Sequence, residues 1–321
     1  MSAPLGEFDL IARYFTRPAH RADLGVGDDC ALLPAPAPGE QLAVSTDMLV
    51  EGRHFLPDAD PQALGHKALA VNLSDLAAMG AQPLAFTLAL ALPQSDAQWL
   101  QPFAAGLFAL AQAHDIALVG GDTTRGPRNL CITVLGTLPR GQALLRSGAR
   151  DGDDIWVSGC VGDARLALGH RLGEWTLDAA TLAAAAPRLD RPTPRLALGQ
   201  ALRGVAHAAI DVSDGLLADL GHILQRSGVG ATVEVDACPA SAALQAQDVA
   251  RRRQCQLAGG DDYELVFTAP AAARDAVLAA ARRAATAVTR IGRIQAQPGL
   301  RLVDAGGQVV DNVYAGFDHF R

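Results

Sequence analysis

The sequence predicts an α/β (α+β) fold in two domains, and three observations carry that expectation. Apolar runs of strand length alternate with Ala/Leu-rich helical stretches in both halves of the chain. A length of 321 residues suits about two domains of ordinary size. Between Gly141 and Asp153 the apolar pattern gives way to Gly, Arg and Asp, which places the domains at 1–145 and 146–321. Half of the residues (50%) are hydrophobic and only 19% charged, so a sizeable core is available and disorder is not expected.

The elements follow in chain order. Phe8, Ile11, Ala12 and Phe15 can share one face of a short amphipathic helix over 7–15. The loop Gly25-Val26-Gly27-Asp28-Asp29-Cys30-Ala31 carries two acids and precedes a Pro-rich turn at 35–39. A strand at 41–45 ends in Thr46-Asp47, and a polar loop with Glu51, Arg53 and His54 comes next. Asp60-Pro61 starts a helix, with an acid at the N-cap and Pro at the first helical position, and it runs towards Asp75 and Met79. A strand covers 83–92, and Ser95 or Asp96 caps a long helix ending near His114. The short strand 116–119 ends in Gly120-Gly121-Asp122-Thr123-Thr124, and 130–138 is another strand.

In the second half a strand at 155–158 is followed by helices at 162–172, at 179–186 and from Pro194. A strand at 208–210 leads into Asp211-Val212-Ser213-Asp214-Gly215-Leu216 and a helix to Arg226. A strand at 231–235 follows, and Gly259-Gly260-Asp261-Asp262-Tyr263-Glu264 precedes one at 265–268. A helix, a strand and a Gly-rich hairpin close the chain. Each half carries a Ser-Asp element followed by a Gly-Gly-Asp element at the same interval, which either a distant duplication or chance explains.

Composition removes several function classes. The formal net charge of -7 argues against a nucleic-acid partner, because phosphate backbones are bound by excess Lys and Arg. Lys67 is the only lysine, so no Gly-Lys-Ser/Thr phosphate loop exists and a pyridoxal Schiff base would need Lys67 itself. No Gly-x-Gly-x-x-Gly follows a strand. Cys30, Cys131, Cys160, Cys238 and Cys255 form no Cys-x-x-Cys pair, so structural zinc and a disulfide framework are not expected, and buried small hydrophobes are. Neither a secretory pattern nor an apolar run of membrane-spanning length is present, and the expectation is a cytoplasmic protein with no membrane partner.

The chemistry lies in the acids. Asn72-Leu73-Ser74-Asp75 interrupts an apolar helix, and buried polar groups are costly unless something pairs with them. An acidic cluster in an apolar frame asks for a cation. Asp28, Asp29, Asp47, Asp75, Asp122, Asp211, Asp214, Asp261 and Asp262 recur at element ends, several beside Gly, Ser or Thr. Small neighbours let backbone approach a ligand and hydroxyls add oxygen donors; all-oxygen sites suit Mg²⁺, Mn²⁺ or Ca²⁺ rather than zinc. Taken singly, an Asp after a strand is a turn former or helix cap, which is the reading for Asp28-Asp29, Asp60 and Asp153-Asp154 alone. Recurrence favours metal for Asp29, Asp47, Asp75, Asp122, Asp211 and Asp214. His54 is either a site imidazole or a solvated loop histidine, and Arg146 either a phosphate clamp or a surface charge. Lys67 is expected to be solvated or to snorkel, and Met79 to be core.

Taken together, an ordered set of motifs spans almost the whole chain: Gly6-Glu7-Phe8, Gly27-Asp28-Asp29-Cys30-Ala31, Ser45-Thr46-Asp47, Glu51-Gly52-Arg53-His54-Phe55, Asn72 to Gly80, Gly120-Gly121-Asp122-Thr123, Asp211-Val212-Ser213-Asp214-Gly215-Leu216, Gly260-Asp261-Asp262-Tyr263-Glu264-Leu265 and Gly316-Phe317-Asp318-His319-Phe320. The set resembles the thiamine-monophosphate kinase family, within the superfamily of aminoimidazole ribonucleotide synthetase, selenide water dikinase and a hydrogenase maturation factor. The resemblance implies an N-terminal ATP/Mg-binding domain whose sheets join into a barrel across a homodimer, and a C-terminal α/β domain that completes the site. It implies ATP-dependent phosphorylation of thiamine monophosphate to thiamine diphosphate, with several Mg²⁺ ions.

Carried over by motif, Asp29, Ser45, Thr46, Asp47, Asp75, Asp122, Asp211 and Asp214 would hold Mg²⁺, with Asp47, Asp75, Asp122 and Asp214 as the catalytic acids. Gly121, Asp122, Arg146 and Ser213 would contact ATP, and His54, Asp261 and Phe317 thiamine monophosphate. The family more often has Glu where this chain has Asp261, and an aromatic ATP contact is expected near Phe103. The alternatives are another ATP-using enzyme of the superfamily acting on an amide or formyl substrate, and a non-catalytic metal–nucleotide binding protein. The chain ends Phe320-Arg321, without the terminal cysteine of the hydrogenase factor.

Overall fold

The computed structural model describes residues 6–314 and 316. They divide into two compact units, one running up to Leu76 and again over Ala81–Gly141, the other comprising Ala77–Gly80 and the chain from Gln142.

The first unit opens with α1 (Glu7–Leu10), continued by a π turn over Ile11–Phe15. Its sheet contains β1 (Glu40–Val50), β2 (Gln82–Leu92), β3 (Ala117–Arg125) and β4 (Asn129–Pro139) in the order β1-β4-β2-β3. Only β2 and β3 run parallel. Two helices, α2 (Pro61–Ala78) and α3 (Ala97–Ala113), accompany the sheet. The expected caps are in place: Asp60 Oδ1 accepts from Ala63 N–H at 2.7 Å and Asp96 Oδ1 from Gln98 N–H at 2.9 Å.

Helix α2 is apolar almost all round and correspondingly buried; Leu69, Leu73 and Leu76 are shut off from solvent. Its contact with α3 is backbone on backbone. A Cβ added at Gly65 would lie 2.0 Å from Phe103 O, and one at Gly106 1.9 Å from Gln62 O, so neither position accepts a side chain. Lys67 is a correction to expectation: it is buried, because α2 has no solvent face at that turn. Two strands also outrun their apolar runs. Thr46-Asp47 lies inside β1, paired with Thr133 and Ile132, and Gly120 to Thr124 lies inside β3 alongside β2. Ladder pairing with a neighbour, not local hydropathy, sets those strand ends.

Alternation along β1 separates two faces. Leu42 (46% exposed), Val44 (61%) and Met48 (53%) share the open one. Ser45 and Asp47 share the other, tied to α2 by side-chain bonds.

The second unit is built on a seven-stranded mixed sheet. Its strands are β5 (Asp153–Ser158), β6 (Ala208–Asp211), β7 (Gly230–Glu234), β8 (Leu265–Pro270), β9 (Val288–Gln295), β10 (Gly299–Val303) and β11 (Val309–Val310), in the order β11-β10-β7-β9-β5-β8-β6. The helices are α4 (Asp163–Arg171), α5 (Ala179–Asp190), α6 (Leu196–Leu202), α7 (Leu216–Ser227), α8 (Ala242–Gln245), α9 (Val249–Ala258) and α10 (Arg274–Arg283). Helix α7 sends Leu216, Leu220 and Ile223 into a core with Val157, Ile210 and Val266. Burying such a side chain is worth about 1.5–3 kcal/mol, so α7 is a firm platform for the loop before it.

Other expectations change here. Asp153 and Asp154 are not caps: they sit buried in β5, where Asp153 meets His207 Nδ1 at 2.9 Å and Asp154 accepts from Arg274 Nε at 2.5 Å. Of the cysteines, only Cys238 and Cys255 are buried; Cys131 and Cys160 are half-buried and Cys30 is exposed, and all are free thiols. The repeated Ser-Asp and Gly-Gly-Asp elements have no common structure. Ser74-Asp75 is helical and Ser213-Asp214 is a loop, while Gly121-Asp122 is strand and Gly260-Asp261 is loop. No helix among the described residues is long and apolar enough to cross a membrane.

Candidate active site

In the first unit, strand β1 and helix α2 build one corner. Ser45 Oγ donates to Asp75 Oδ2 in a short hydrogen bond. Asn72 bridges the two elements: its Oδ1 accepts from Asp47 N–H at 3.0 Å and its Nδ2 donates to Ala68 O at 3.0 Å. Asn72 is therefore satisfied by backbone and needs no cation, which corrects part of the reading of that cluster. It fixes where Asp47 stands, while Asp75 is left half-buried and aimed at β1. Thr46 points the other way, where its hydroxyl lies 2.8 Å from that of Thr133.

The remaining residues of this unit are spread. Asp29 sits exposed in a loop closed by reciprocal backbone bonds between Leu24 and Leu32, and its N–H donates to Asp28 Oδ1 at 2.9 Å. Asp122 is exposed in β3, in a cross-strand row with Ala89, Cys131 and Met48; Asp47 lies in the next row with Ile132, Leu88 and Gly121. Three strand spacings, about 14 Å, separate β1 from β3, so the sheet by itself does not bring Asp47 and Asp122 together. Gly121 has φ +149 and touches β2 so closely that a Cβ would lie 1.9 Å from Leu88 O. A cavity of about 280 Å³ opens just beyond, lined by Thr123, Thr124 and Arg125 with Glu7 and Leu10.

His54 folds back on its own turn, where Nδ1 accepts from Val50 N–H at 3.0 Å. A ring nitrogen that accepts carries no proton, so in the neutral imidazole the proton is on Nε2. Phe103 is fully buried, and the half-buried ring beside it is Trp99, stacked on it at 4.8 Å. The Arg128 guanidinium lies over Trp99 at 4.9 Å and pairs with Glu51.

In the second unit two motif loops are stitched together. Asp261 N–H donates to Ser213 O at 2.9 Å, Tyr263 N–H to Val212 O at 2.8 Å, and Val212 N–H to Glu264 O at 2.7 Å. The structure thus brings Ser213 and Asp214 beside Asp261, while Asp211 pairs with Leu265 at the end of β6. Asp261 and Tyr263 have φ of +66° and +50°, an unfavourable backbone for non-glycine residues that persists only where surroundings enforce it.

The enforcing groups are the buried acids between and after them. Both Asp262 oxygens accept from Gly162 N–H at 2.9 Å, and burial pushes this carboxyl well above the usual range. Glu264 is wholly buried and accepts from Ser158 Oγ at 2.5 Å, from Arg195 Nε at 2.7 Å and from Arg188.

The 213–215 loop has its own buried acid. Asp219 Oδ2, in the first turn of α7, accepts from Ser213, Asp214 and Gly215 N–H at 3.0, 3.1 and 3.1 Å. Burial first, and then the Asp214 charge, push Asp219 up to about 7, although the three amides favour its ionised form. Gly316 lies against the same loop; a Cβ there would meet Ala218 Cβ at 2.4 Å and Asp214 O at 3.0 Å. Phe317 follows directly but lies outside the described residues. Arg146 is exposed, and its carbonyl accepts from Ser227 Oγ at 3.4 Å, at the far end of α7 from Asp214.

Among the described residues no three His, Cys, Asp or Glu side chains gather closely enough to hold a metal ion alone. The donors present still suit magnesium, since they are all oxygen, and Mg²⁺ commonly takes one or two carboxylates and completes its shell with water and phosphate. Sequence reasoning missed Asp219, Asp262 and Glu264. An acid in a first helical turn reads as a dipole partner, and acids inside a Gly-Asp-Asp motif read as ligands, so neither pattern announces an anchor.

Comparison with known proteins follows the same lines. Residues 27–138 match the family described as AIR synthase related protein, N-terminal domain, and 150–305 match its C-terminal domain. The thiamine-monophosphate kinase of Salmonella typhimurium is 50% identical over 321 residues, covering 98% of both chains. A crystal structure of thiamine-monophosphate kinase from Stenotrophomonas maltophilia K279a is 49% identical with a TM-score of 0.84, over 94% of this chain and 95% of that one. A structure of AaThiL complexed with AMPPCP and TMP is 30% identical with a TM-score of 0.76, over 90% of each chain.

Proposed function

The chain belongs to the thiamine-monophosphate kinase family, and on that premise we propose that it transfers the γ-phosphoryl group of ATP to thiamine monophosphate, giving ADP and thiamine diphosphate. The observation that carries the reading is the agreement of identity along the full chain with intact motif acids, of which Asp47, Asp75 and Asp214 are held by specific bonds.

Two anions must be brought together. At 4 Å two unit charges repel by about 4 kcal/mol at an effective dielectric of 20. Magnesium, when bound, supplies the charge neutralisation that an acidic protein cannot. Asp29, Ser45, Thr46, Asp47, Asp75 and Asp122 in one unit, and Asp211 and Asp214 in the other, are the residues that would hold it. Asp47, Asp75, Asp122 and Asp214 act through that metal. Gly121, Asp122, Arg146 and Ser213 serve ATP.

His54, whose Nδ1 is taken by the Val50 amide, and Asp261, held on a strained backbone by buried neighbours, would contact the acceptor. Asp261 N–H donates to Ser213 O, which sets how far its side chain reaches. Phe317 completes the substrate contacts. The acceptor phosphate is largely deprotonated at neutral pH (second pKa about 6), so no side chain needs to act as a general base. Transfer is direct and in line, with no phosphoenzyme.

The open face of β1, with Leu42, Val44 and Met48 exposed, supports a homodimer in which two such sheets join in a barrel. The same reading takes the two domains as 1–145 and 146–321 and the protein as cytoplasmic. Incubation with γ-labelled ATP tests the route. Label should pass into thiamine diphosphate in equal amount to ADP; label left covalently on the protein after ATP alone overturns direct transfer.

A further inference from the structure

We propose that Asp219 is the positioning residue of the 213–215 loop, holding its three amide N–H groups inward so that the loop offers oxygen rather than N–H to its ligand. The inference rests on the kinase reading of Ser213 and Asp214 and adds a residue that touches neither substrate. Loops that enter a helix usually present free amides, and such amides are a ready anion site. Here all three donors converge on one oxygen of one carboxylate at 3.0 to 3.1 Å. An ordinary N-cap satisfies one such donor from the residue before the helix. Asp219 instead lies four residues beyond Gly215, inside α7, and is buried at 2% exposure.

The geometry closes the loop from its other sides as well. Gly215 has φ +129, and a Cβ at Gly260 would lie 2.3 Å from Ser213 O. Ser213 O is also the acceptor of Asp261 N–H. With its amides taken, this loop cannot cradle a phosphate directly. It meets a phosphorylated ligand through the Asp214 carboxylate and Ser213 hydroxyl, which requires a cation between them.

The test compares Asp219→Asn with Ile223→Val, a core change on the same helix that touches none of these bonds. Manganese affinity is measured by electron paramagnetic resonance without substrates, Mg²⁺–nucleotide affinity by calorimetry with a non-hydrolysable analogue, and amide exchange at 213–215 by mass spectrometry. Asp219→Asn should weaken metal and metal–nucleotide binding by about tenfold, raise the Mg²⁺ needed for half-maximal turnover by a similar factor, and speed exchange of the three amides. Ile223→Val should lower the melting temperature and leave metal affinity unchanged. A folded Asp219→Asn with wild-type metal affinity and Mg²⁺ requirement overturns the proposal and leaves Asp219 a helix cap. Should Asp219→Asn fail to fold, Asp219→Glu, which keeps the charge but shifts the oxygen, is read by the same criteria. A wild-type protein that binds Mg²⁺–nucleotide yet does not use thiamine monophosphate overturns the kinase reading, while the metal comparison still decides this one.

Discussion

Two of the Ser-Asp pairs in this molecule, at 74–75 and 213–214, are held by opposite means. Asp75 rides on α2, a helix buried almost all round, and packing sets its place; one short bond from Ser45 orients the carboxylate. Asp214 stands on a loop, and bonds to the loop backbone hold it: the buried Asp219 carboxylate from one side and main-chain bonds of the Asp261–Glu264 segment from another. A carboxylate on a rigid element is placed by packing. A carboxylate on a loop needs buried anchors that bond the loop's backbone.

Substitution can break the contrast at several strengths. The largest effect is on turnover: Asp75→Asn and Asp214→Asn should each lower kcat by about 10² and raise the Mg²⁺ requirement, read from rates over a Mg²⁺ series. Unchanged rates at limiting Mg²⁺ would remove either residue from the metal set. The largest effect on stability belongs to the loop side. Glu264→Gln leaves Arg188 and Arg195 without their buried counter-charge, and denaturant unfolding should show a loss of about 3–5 kcal/mol.

On the helix side, Asn72→Leu orphans the Asp47 amide and should cost about 1–3 kcal/mol while raising the Mg²⁺ requirement. If stability falls and the Mg²⁺ requirement does not, Asn72 supports the fold but not Asp47.

The smallest effect sharpens the account of buried acids. Burial raises the Asp163 carboxyl above its ordinary value, against the lowering bond from Ser241 Oγ at 2.6 Å and the nearby Arg188 charge. Between its ordinary and its raised pKa the folded chain keeps a proton that the unfolded chain has released. Stability from this group therefore falls as pH rises through that window and stays lost above it. Asp163→Asn keeps an acceptor for Ser241 and should raise the melting temperature at neutral pH but not below the ordinary carboxylate pKa. A gain equal at both pH values would assign the effect to packing.

Much of this was legible in the chain. Asp60-Pro61 and Asp96 mark helix starts, alternation of element types gives the class, and the motifs carry the family. What stayed hidden depends on partners distant in sequence. Nothing near Asn72 says that it bridges to the Asp47 amide, and nothing near Glu264 names Arg188 and Arg195. Lys67 looked solvated because one charge in an apolar helix usually is, but α2 has no free face there. The strand expected at 116–119 stops at Gly120 in the sequence reading because glycine breaks isolated strands; pairing with β2 overrides that preference and carries β3 to Arg125.

The central claim, that these acids serve a metal-dependent transfer to a phosphate acceptor, is tested most directly by ADP release at fixed Mg²⁺–ATP as thiamine monophosphate is varied. The account predicts a saturable rate with thiamine monophosphate, equal formation of thiamine diphosphate, and none with unphosphorylated thiamine. ADP release that does not depend on thiamine monophosphate would contradict it.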